Sequence, residues 1–228
     1  MATILQIETA TQVCSVAISL NGETIAFKEE TAQNIHASSL TLFIEDVMKT
    51  AGLKYADLDA IAVSKGPGSY TGLRIGVSTA KGLCFALDKP LIAIGTLQMM
   101  ANGYMQKHPN YGGLICPMID ARRMEVFTSV YDNKLQEIEA VNAKIVDDKS
   151  FIFELESHYV TFIGDGAAKC EPVLIHDNAH FDAGNYNSAV NMSKLAYQAF
   201  VTKDFNDVAY FEPFYLKDFV FTTPKKKS

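Results

Sequence analysis

The chain has 228 residues, of which 48% are hydrophobic and 20% charged, with a formal net charge of −6. This length allows one large domain or two small ones, and no apolar run approaches the ~18 residues that suggest a membrane-spanning helix. The acidic balance opposes autonomous RNA binding, because phosphate recognition needs a concentrated basic surface and the run Lys225–Lys227 is short. The first residues show no secretory signal, so we expect a cytoplasmic protein without membrane attachment.

Three strands are predicted at the beginning of the chain, over residues 3–8, 13–20 and 24–30. Asn21 and Gly22 form a typical two-residue hairpin turn between the last two. From His36 to Ala51 the apolar residues recur at helical spacing, and Gly52 is a suitable C-terminal stop. The first sheet is therefore expected to begin as an antiparallel meander that is followed by an amphipathic helix.

The next segment alternates strands and helices. A buried strand is predicted at 59–63, a glycine-rich loop at 64–72, a helix at 73–87, a strand at 91–94 and a helix at 96–108. Helical crossovers connect parallel strands, so the order β-β-β-α-β-α-β predicts a mixed sheet.

The strand pattern restarts after Asn110 and indicates a second lobe. We predict lobes at 1–110 and 111–228, with a disordered tail over about 217–228. A hairpin around Ala121–Arg123 joins the first two strands of the second lobe, and shorter elements follow it. The predicted ranges are 114–120 and 124–131 for strands, 149–157 for a helix, 160–163 for a strand and 188–202 for a helix.

The glycine-rich loop suggests a phosphate site, because such loops aim backbone N–H groups at anions. It does not fit the P-loop pattern, and Asp88 stands at the wrong end of the next strand for a dinucleotide-binding unit. We favour a structural turn that needs the conformational freedom of glycine, with nucleotide capture as the alternative. The loop residues concerned are Gly66, Pro67, Gly68 and Gly72.

The helix predicted at 73–87 has two distinct faces. Its apolar face should enter the core of its own lobe, whereas the opposite face carries few charges. Gly82 costs about 1 kcal/mol relative to alanine inside a helix, which suggests that another helix must approach closely. We predict a partner-binding surface there, and coverage by the protein's own chain is the alternative. The predicted surface comprises Arg74, Ser78, Gly82 and Phe85 of this helix, and Leu42, Glu45 and Lys49 of the preceding one.

Evidence for catalytic chemistry is weak. His176 and His180 have the spacing of a helical metal motif, but the residues between them favour a loop, so we expect no metal site. Glu8, Asp120 and Asp165 stand at strand ends, where carboxylates hold magnesium through water or, more commonly, cap turns. The four cysteines are far apart and lack CxxC spacing, so we expect neither a disulfide nor a cysteine metal site.

Six segments carry a recognisable pattern, at residues 4–11, 14–17, 66–82, 119–123, 164–166 and 213–216. Taken in order, they resemble the TsaB (YeaZ-type) family over almost the whole chain. The resemblance implies a two-lobed actin-like fold of the ASKHA, ribonuclease H-like type, with a mixed sheet in each lobe. It also implies a partner subunit of the catalytic protein TsaD, in a complex that includes the ATPase TsaE and transfers threonylcarbamoyl to the adenosine beside the anticodon of tRNA.

This chain also departs from the patterns of related proteins. Glu8 stands where many family members have aspartate, and Asp120 lacks the glycines of an actin-like phosphate turn. TsaD has an HxxxH metal motif, whereas the matching stretch Thr96–Met100 offers no histidine. We therefore expect that a nucleotide site at Glu8 and Asp120 is degenerate and that the chain binds no cofactor tightly. ATP with magnesium is expected only at the level of the complex. A weak ATPase, a peptidase and a homodimer that uses the same helices are the alternatives.

Overall fold

The computed structural model describes residues 1–32, 35–182, 184 and 186–217, which form two five-stranded mixed sheets flanked by helices. The strands are β1 (Thr3–Glu8), β2 (Val13–Leu20), β3 (Glu23–Thr31), β4 (Ala60–Gly66), β5 (Leu91–Gly95), β6 (Leu114–Asp120), β7 (Glu125–Tyr131), β8 (Glu137–Ile145), β9 (Val160–Ile163) and β10 (Ala179–Asp182). The helices are α1 (Ile35–Ala51), α2 (Tyr70–Leu87), α3 (Thr96–Lys107), α4 (Ile152–Ser157), α5 (Ala167–Cys170) and α6 (Ser193–Thr202).

The first sheet has the strand order β3-β2-β1-β4-β5. The pairs β1/β2 and β2/β3 are antiparallel, while β4 runs parallel to both β1 and β5. Asn21 and Gly22 have φ angles of 52° and 85°, as a primed hairpin turn requires. The predicted meander, its turn and the parallel strands that follow are all confirmed.

The second sheet repeats this arrangement in the order β10-β9-β6-β7-β8. The predicted hairpin of β6 and β7 is confirmed, and β9 lies parallel to β6. The edge strands β8 and β10 were not predicted. Strand β8 mixes glutamate, asparagine and lysine with small residues, so it lacks the clean alternation that identifies a half-buried strand. Strand β10 has only four residues, which are too few to show a period.

Helices cover both faces of the first sheet. Helices α1 and α2 pack on one face, where Leu40, Val47 and Val77 belong to the same buried cluster as Leu5 and Ile7 of β1. Helix α3 lies between the two sheets and contributes to a cluster that contains residues of both. Helix α6 returns from the second half of the chain to pack against the first sheet, while α4 and α5 pack with the second. The lobe boundary at 110/111 stays a prediction.

Three helix boundaries differ from the predicted ones by more than one residue. Helix α2 begins at Tyr70 instead of Leu73, because the Ser69 hydroxyl caps its first turn by accepting a hydrogen bond from the Gly72 N–H at 3.3 Å. Helix α4 begins at Ile152, three residues late, after a turn closed by Asp147. The last predicted helix is a 3₁₀ turn at 189–192 followed by α6. Of the predicted tail, only Lys217 lies within the described residues, and Lys225–Lys227 lie outside them.

Candidate functional site

A cleft with a volume of about 710 Å³ lies between the two lobes, where β1 and β6 end. Its first wall is formed by the β1–β2 turn and the glycine-rich loop with the start of α2. Its second wall is formed by the β6–β7 turn and the loop after β9. The lining residues used below are Ala10, Gly68, Gly72, Asp120, Arg122, Asp165 and Tyr215.

The glycine-rich loop packs directly against the backbone of the β1–β2 turn. A Cβ atom at residue 68 would lie 2.3 Å from the Ala10 carbonyl oxygen, and one at residue 72 would lie 2.1 Å from that of Thr9. The Ser69 N–H donates to the Ala10 carbonyl at 2.6 Å. These glycines therefore permit close contact with the β1–β2 turn.

Gly66 meets a different neighbour. Its φ angle is +110°, which side-chain-bearing residues rarely adopt, and a Cβ atom there would lie 2.6 Å from the carbonyl oxygen of Phe214. The peptide bond between Gly66 and Pro67 is cis. Residue 66 must therefore be glycine both for its backbone angle and for contact with the C-terminal segment.

Glu8 lies beneath the cleft and does not line it. Its side chain is 0% exposed, and burial raises its pKa to about 7, although the hydrogen bond from the Ala10 N–H at 2.5 Å acts in the opposite direction. The Ser64 hydroxyl acts in the same direction as the Ala10 N–H and favours the ionised carboxylate, but burial outweighs both.

Asp120 reaches the cleft from the second lobe. Although its partial burial raises the pKa, an ion pair with Lys169 and the hydrogen bond from the Arg122 N–H at 2.8 Å hold it below the ordinary value. Asp165 accepts a hydrogen bond from the Asp120 N–H at 3.0 Å, and burial raises its pKa. The cleft is thus lined by Asp120 but not by Glu8.

The C-terminal segment also contributes to the cleft, which the sequence reasoning missed. The Phe214 N–H donates to the Lys65 carbonyl at 2.7 Å, and the ring of Tyr215 lies 4.7 Å from that of Tyr70. Lys217 forms an ion pair with Glu125 of the second lobe. The segment 213–216 had been noticed only as a short motif, and nothing local in it indicates which wall it would join.

The predicted partner surface is exposed on one side of the first lobe. The residues Leu42, Glu45, Lys49, Arg74, Ser78, Gly82 and Phe85 are all exposed, with Phe85 at 86% and Leu42 at 57%. The opposite face of α2 is buried as predicted, through Leu73, Val77, Ala80 and Cys84, while Leu87 is partly buried. A Cβ atom at residue 82 would have no neighbour within 4 Å. The described chain therefore leaves the Gly82 and Phe85 end of this face uncovered. The C-terminal segment reaches the neighbouring Lys81, whose ammonium donates to the carbonyl oxygens of Ala209 and Phe211.

The two histidines with the spacing of a metal motif lie in different elements. His176 lies in a loop, where its Nδ1 accepts a hydrogen bond from the Asn178 N–H at 3.1 Å, and His180 lies on the exposed edge strand β10. The described residues contain no group of three or more His, Cys, Asp or Glu that could hold a metal. Thr96 and Met100 are buried in the core between the sheets.

Within the described ranges, no helix is long and apolar enough to cross a membrane.

Comparisons of the sequence agree over most of the chain. The family model described as "TsaD: tRNA N6-adenosine threonylcarbamoyltransferase" matches residues 27–220. The tRNA threonylcarbamoyladenosine biosynthesis protein TsaB of Haemophilus influenzae is 30% identical, and the match covers 95% of this chain and 94% of that protein. TsaB of Escherichia coli is 32% identical over 94% of each chain.

Comparisons of the structure give the same result. A crystal structure from Pseudomonas aeruginosa, described as an uncharacterized protein with similarity to peptidase YeaZ, is similar with a TM-score of 0.84 and 26% identity, covering 95% of this chain and 100% of that one. The activator of 2-hydroxyisocaproyl-CoA dehydratase from Clostridium difficile shares the fold alone, with a TM-score of 0.51 and 12% identity over 89% of this chain and 95% of that one. The predicted two-lobed actin-like fold is confirmed.

Proposed function

We propose a role in tRNA threonylcarbamoyladenosine biosynthesis for this chain, because it belongs to the TsaB family, within the wider group that the TsaD family model describes. In this proposal the chain is a partner subunit without catalytic activity of its own. It binds and stabilises a TsaD-like catalytic subunit, which transfers threonylcarbamoyl to the adenosine beside the anticodon.

The exposed face of α1 and α2 is the observation that carries the partner role. Phe85 is an aromatic residue with most of its surface in water, and it lies about one helical turn from Gly82 and two from Ser78, where a second helix can approach closely. Leu42 adds a second exposed apolar side chain on α1. Exposed apolar residues beside small ones support a helix-packing interface.

The cleft supports the absence of independent catalysis. The glycine-rich loop packs against the β1–β2 turn through Gly68 and Gly72, and Glu8 is buried away from the lining. These features do not fit tight nucleotide binding by the chain alone. We propose that it holds no cofactor tightly, that ATP and magnesium act at the level of the complex, and that a TsaE-like ATPase and tRNA join through TsaD in the cytoplasm.

A weak ATPase remains the second candidate, because Asp120 and Asp165 both line the cleft. Carboxylates in such a position can hold magnesium through water. Turnover by the purified chain that Asp120→Asn abolishes would favour this candidate. A peptidase has less support, since burial raises the pKa of Cys14, Cys84 and Cys116 to about 12, which disfavours a reactive thiolate.

The proposal is tested by purifying the tagged chain from its native organism and identifying what accompanies it. We expect a TsaD-like protein, and a TsaE-like ATPase when ATP is present. Reconstituted transfer of threonylcarbamoyl to tRNA should then require both this chain and the TsaD-like protein. Transfer by the chain without the TsaD-like protein, or by that protein at full rate without the chain, would contradict the proposal. Light scattering of the isolated chain separates a homodimer from a monomer.

A further inference from the structure

A second cavity, of about 860 Å³, lies in the second lobe and shares no lining residue with the inter-lobe cleft. It forms where the end of α3, the loop before β6 and the strands β9 and β10 meet. We call it the aromatic pocket. Its lining consists of Tyr104, Asn110, Tyr111, Gly112, Gly113, Tyr159, Thr161, His180, Phe181 and Asp182.

Half of the ten lining residues carry an aromatic or imidazole ring. Tyr159 is 60% exposed, and its ring centre lies 5.5 Å from that of His180 at an interplanar angle of 43°. Tyr104 and Tyr111 meet edge to face at 5.2 Å. The rings leave the pocket open on the side of Gly112, where a Cβ atom would meet nothing within 4 Å. The faces of such rings carry negative electrostatic potential, which attracts cations.

Asp182 is the carboxylate of the pocket. Its oxygens accept hydrogen bonds from the Gly184 N–H at 2.6 Å and from the Tyr186 hydroxyl at 2.8 Å, which fix its orientation. Its ion-pair partner is His108, whose Nε2 lies 3.8 Å away and whose ring is charged only when protonated. The ammonium of Lys107 lies instead over the ring of Tyr186, 4.5 Å from its centre. The carboxylate side chain remains 30% exposed. It therefore keeps lone pairs that can accept from a ligand.

The charges of the lining decide which ligand fits. Among the described residues that line the pocket there is one carboxylate and no lysine or arginine. A phosphorylated ligand would find no fixed cation there, whereas an organic cation would meet both the ring faces and the carboxylate. The net charge of −6 adds a weak attraction of the same sign.

We propose that the aromatic pocket binds an organic cation that carries an alkylammonium or guanidinium group. Asp182 accepts hydrogen bonds from the N–H groups of this cation, and the rings of Tyr159 and His180 pack against it. This inference goes beyond the proposed function and does not depend on it. The cation could be a free amine or a basic side chain of a protein, and these two sources share the same chemistry.

The test is a nuclear magnetic resonance titration of the full chain with its tyrosine and histidine rings labelled. N-acetylarginine amide is compared with N-acetylcitrulline amide, which has almost the same shape but no charge. We expect the arginine compound to shift the Tyr159 and His180 signals with a dissociation constant in the millimolar range, and the citrulline compound to bind at least about tenfold more weakly. Equal binding of the two compounds, or no shift with the arginine compound, would overturn the proposal.

Variants locate the binding and guard against general charge effects. Asp182→Asn should weaken binding of the arginine compound about tenfold, because it removes the charge and keeps an acceptor for the Gly184 N–H. Glu156→Gln removes the same charge from an exposed position on α4 and should leave binding unchanged. If Asp182→Asn fails to fold by circular dichroism, Tyr159→Leu tests the ring contact at an exposed side chain. Unchanged affinity in the folded variant, or in Tyr159→Leu, would count against the site.

Two further probes identify the source of the cation. Agmatine represents a free guanidine, and the peptide Gly-Gly-Arg-Gly-Gly represents a basic protein segment. Tighter binding of the peptide would support a protein source, and similar binding of the two would support a small amine. Adenosine monophosphate is the negative probe. If it shifts the same rings while the cations do not, the pocket is a nucleobase site and the proposal is wrong.

Discussion

The carbonyl oxygen of Thr9 lies 2.1 Å from the point that a Cβ atom at residue 72 would occupy, and the Thr9 hydroxyl donates to the Gly72 carbonyl at 2.8 Å. The turn after the first strand and the start of α2 therefore interlock through backbone atoms, which cannot move aside as a flexible side chain can. Gly68 meets the Ala10 carbonyl in the same way. This contact fixes one wall of the inter-lobe cleft.

Gly72→Ala should destabilise the protein by about 1–3 kcal/mol, because the new methyl group has to displace a backbone carbonyl in a packed region. Gly82→Ala is the matched control on the same helix. Its Cβ atom enters open space, and alanine is the better helix former, so the free energy of unfolding should rise by up to about 1 kcal/mol. Urea denaturation measures both values. Equal effects of the two substitutions would contradict the described packing.

Gly82→Arg should give a folded protein that no longer binds the TsaD-like subunit. The long charged side chain has room in the isolated chain, but it would lie where two helix backbones are expected to meet. Circular dichroism reports folding, and size-exclusion chromatography with the partner reports assembly. Phe153→Arg is the control, because Phe153 is 80% exposed on α4 of the other lobe and should leave assembly intact. Normal assembly of the folded Gly82→Arg variant would exclude this interface.

Glu8→Gln should change how stability depends on pH. Burial raises the pKa of Glu8 in the folded protein to about 7 from an ordinary value of 4.5, so between these pH values the folded state retains a proton that the unfolded state has lost. The free energy of unfolding of the wild type therefore falls as pH rises through this window and levels off above about 7.

The glutamine variant stays neutral and lacks this dependence. The free energy of unfolding of the variant, minus that of the wild type, should increase by up to roughly 3 kcal/mol as the pH rises from 4.5 to about 7. Urea denaturation at several pH values measures the difference, and Glu156→Gln at an exposed position should show almost none. A constant difference between the Glu8→Gln variant and the wild type would mean that Glu8 is ionised throughout.

The isolated chain should bind tRNA weakly. Its net charge of −6 repels phosphate, and Lys169 and Lys217 already form ion pairs with Asp120 and Glu125. Filter binding at several salt concentrations measures the affinity with and without the TsaD-like subunit. We expect tight, salt-sensitive binding only when that subunit is present. Tight binding by this chain alone would contradict the subunit model.

Local patterns in the sequence determined much of the fold. Apolar strand patterns predicted β1 and β2 to the residue, the pair Asn21 and Gly22 predicted the hairpin turn, and the apolar positions of α2 predicted its buried face. These features depend on neighbours a few residues apart, and such neighbours are visible in sequence. The outward face of α2 was also predictable, because too few charges covered it.

The tertiary structure alone decided which distant groups meet. That Glu8 lies beneath the cleft while Asp120 lines it depends on how the β1–β2 turn packs against Gly68 and Gly72, more than 50 residues away. The contact of Phe214 with Gly66, and the pocket that joins Tyr111, Tyr159 and Asp182, likewise bring together segments from different parts of the chain. Sequence periodicity shows which face of an element is buried, whereas the choice of neighbour results from packing the whole chain at once.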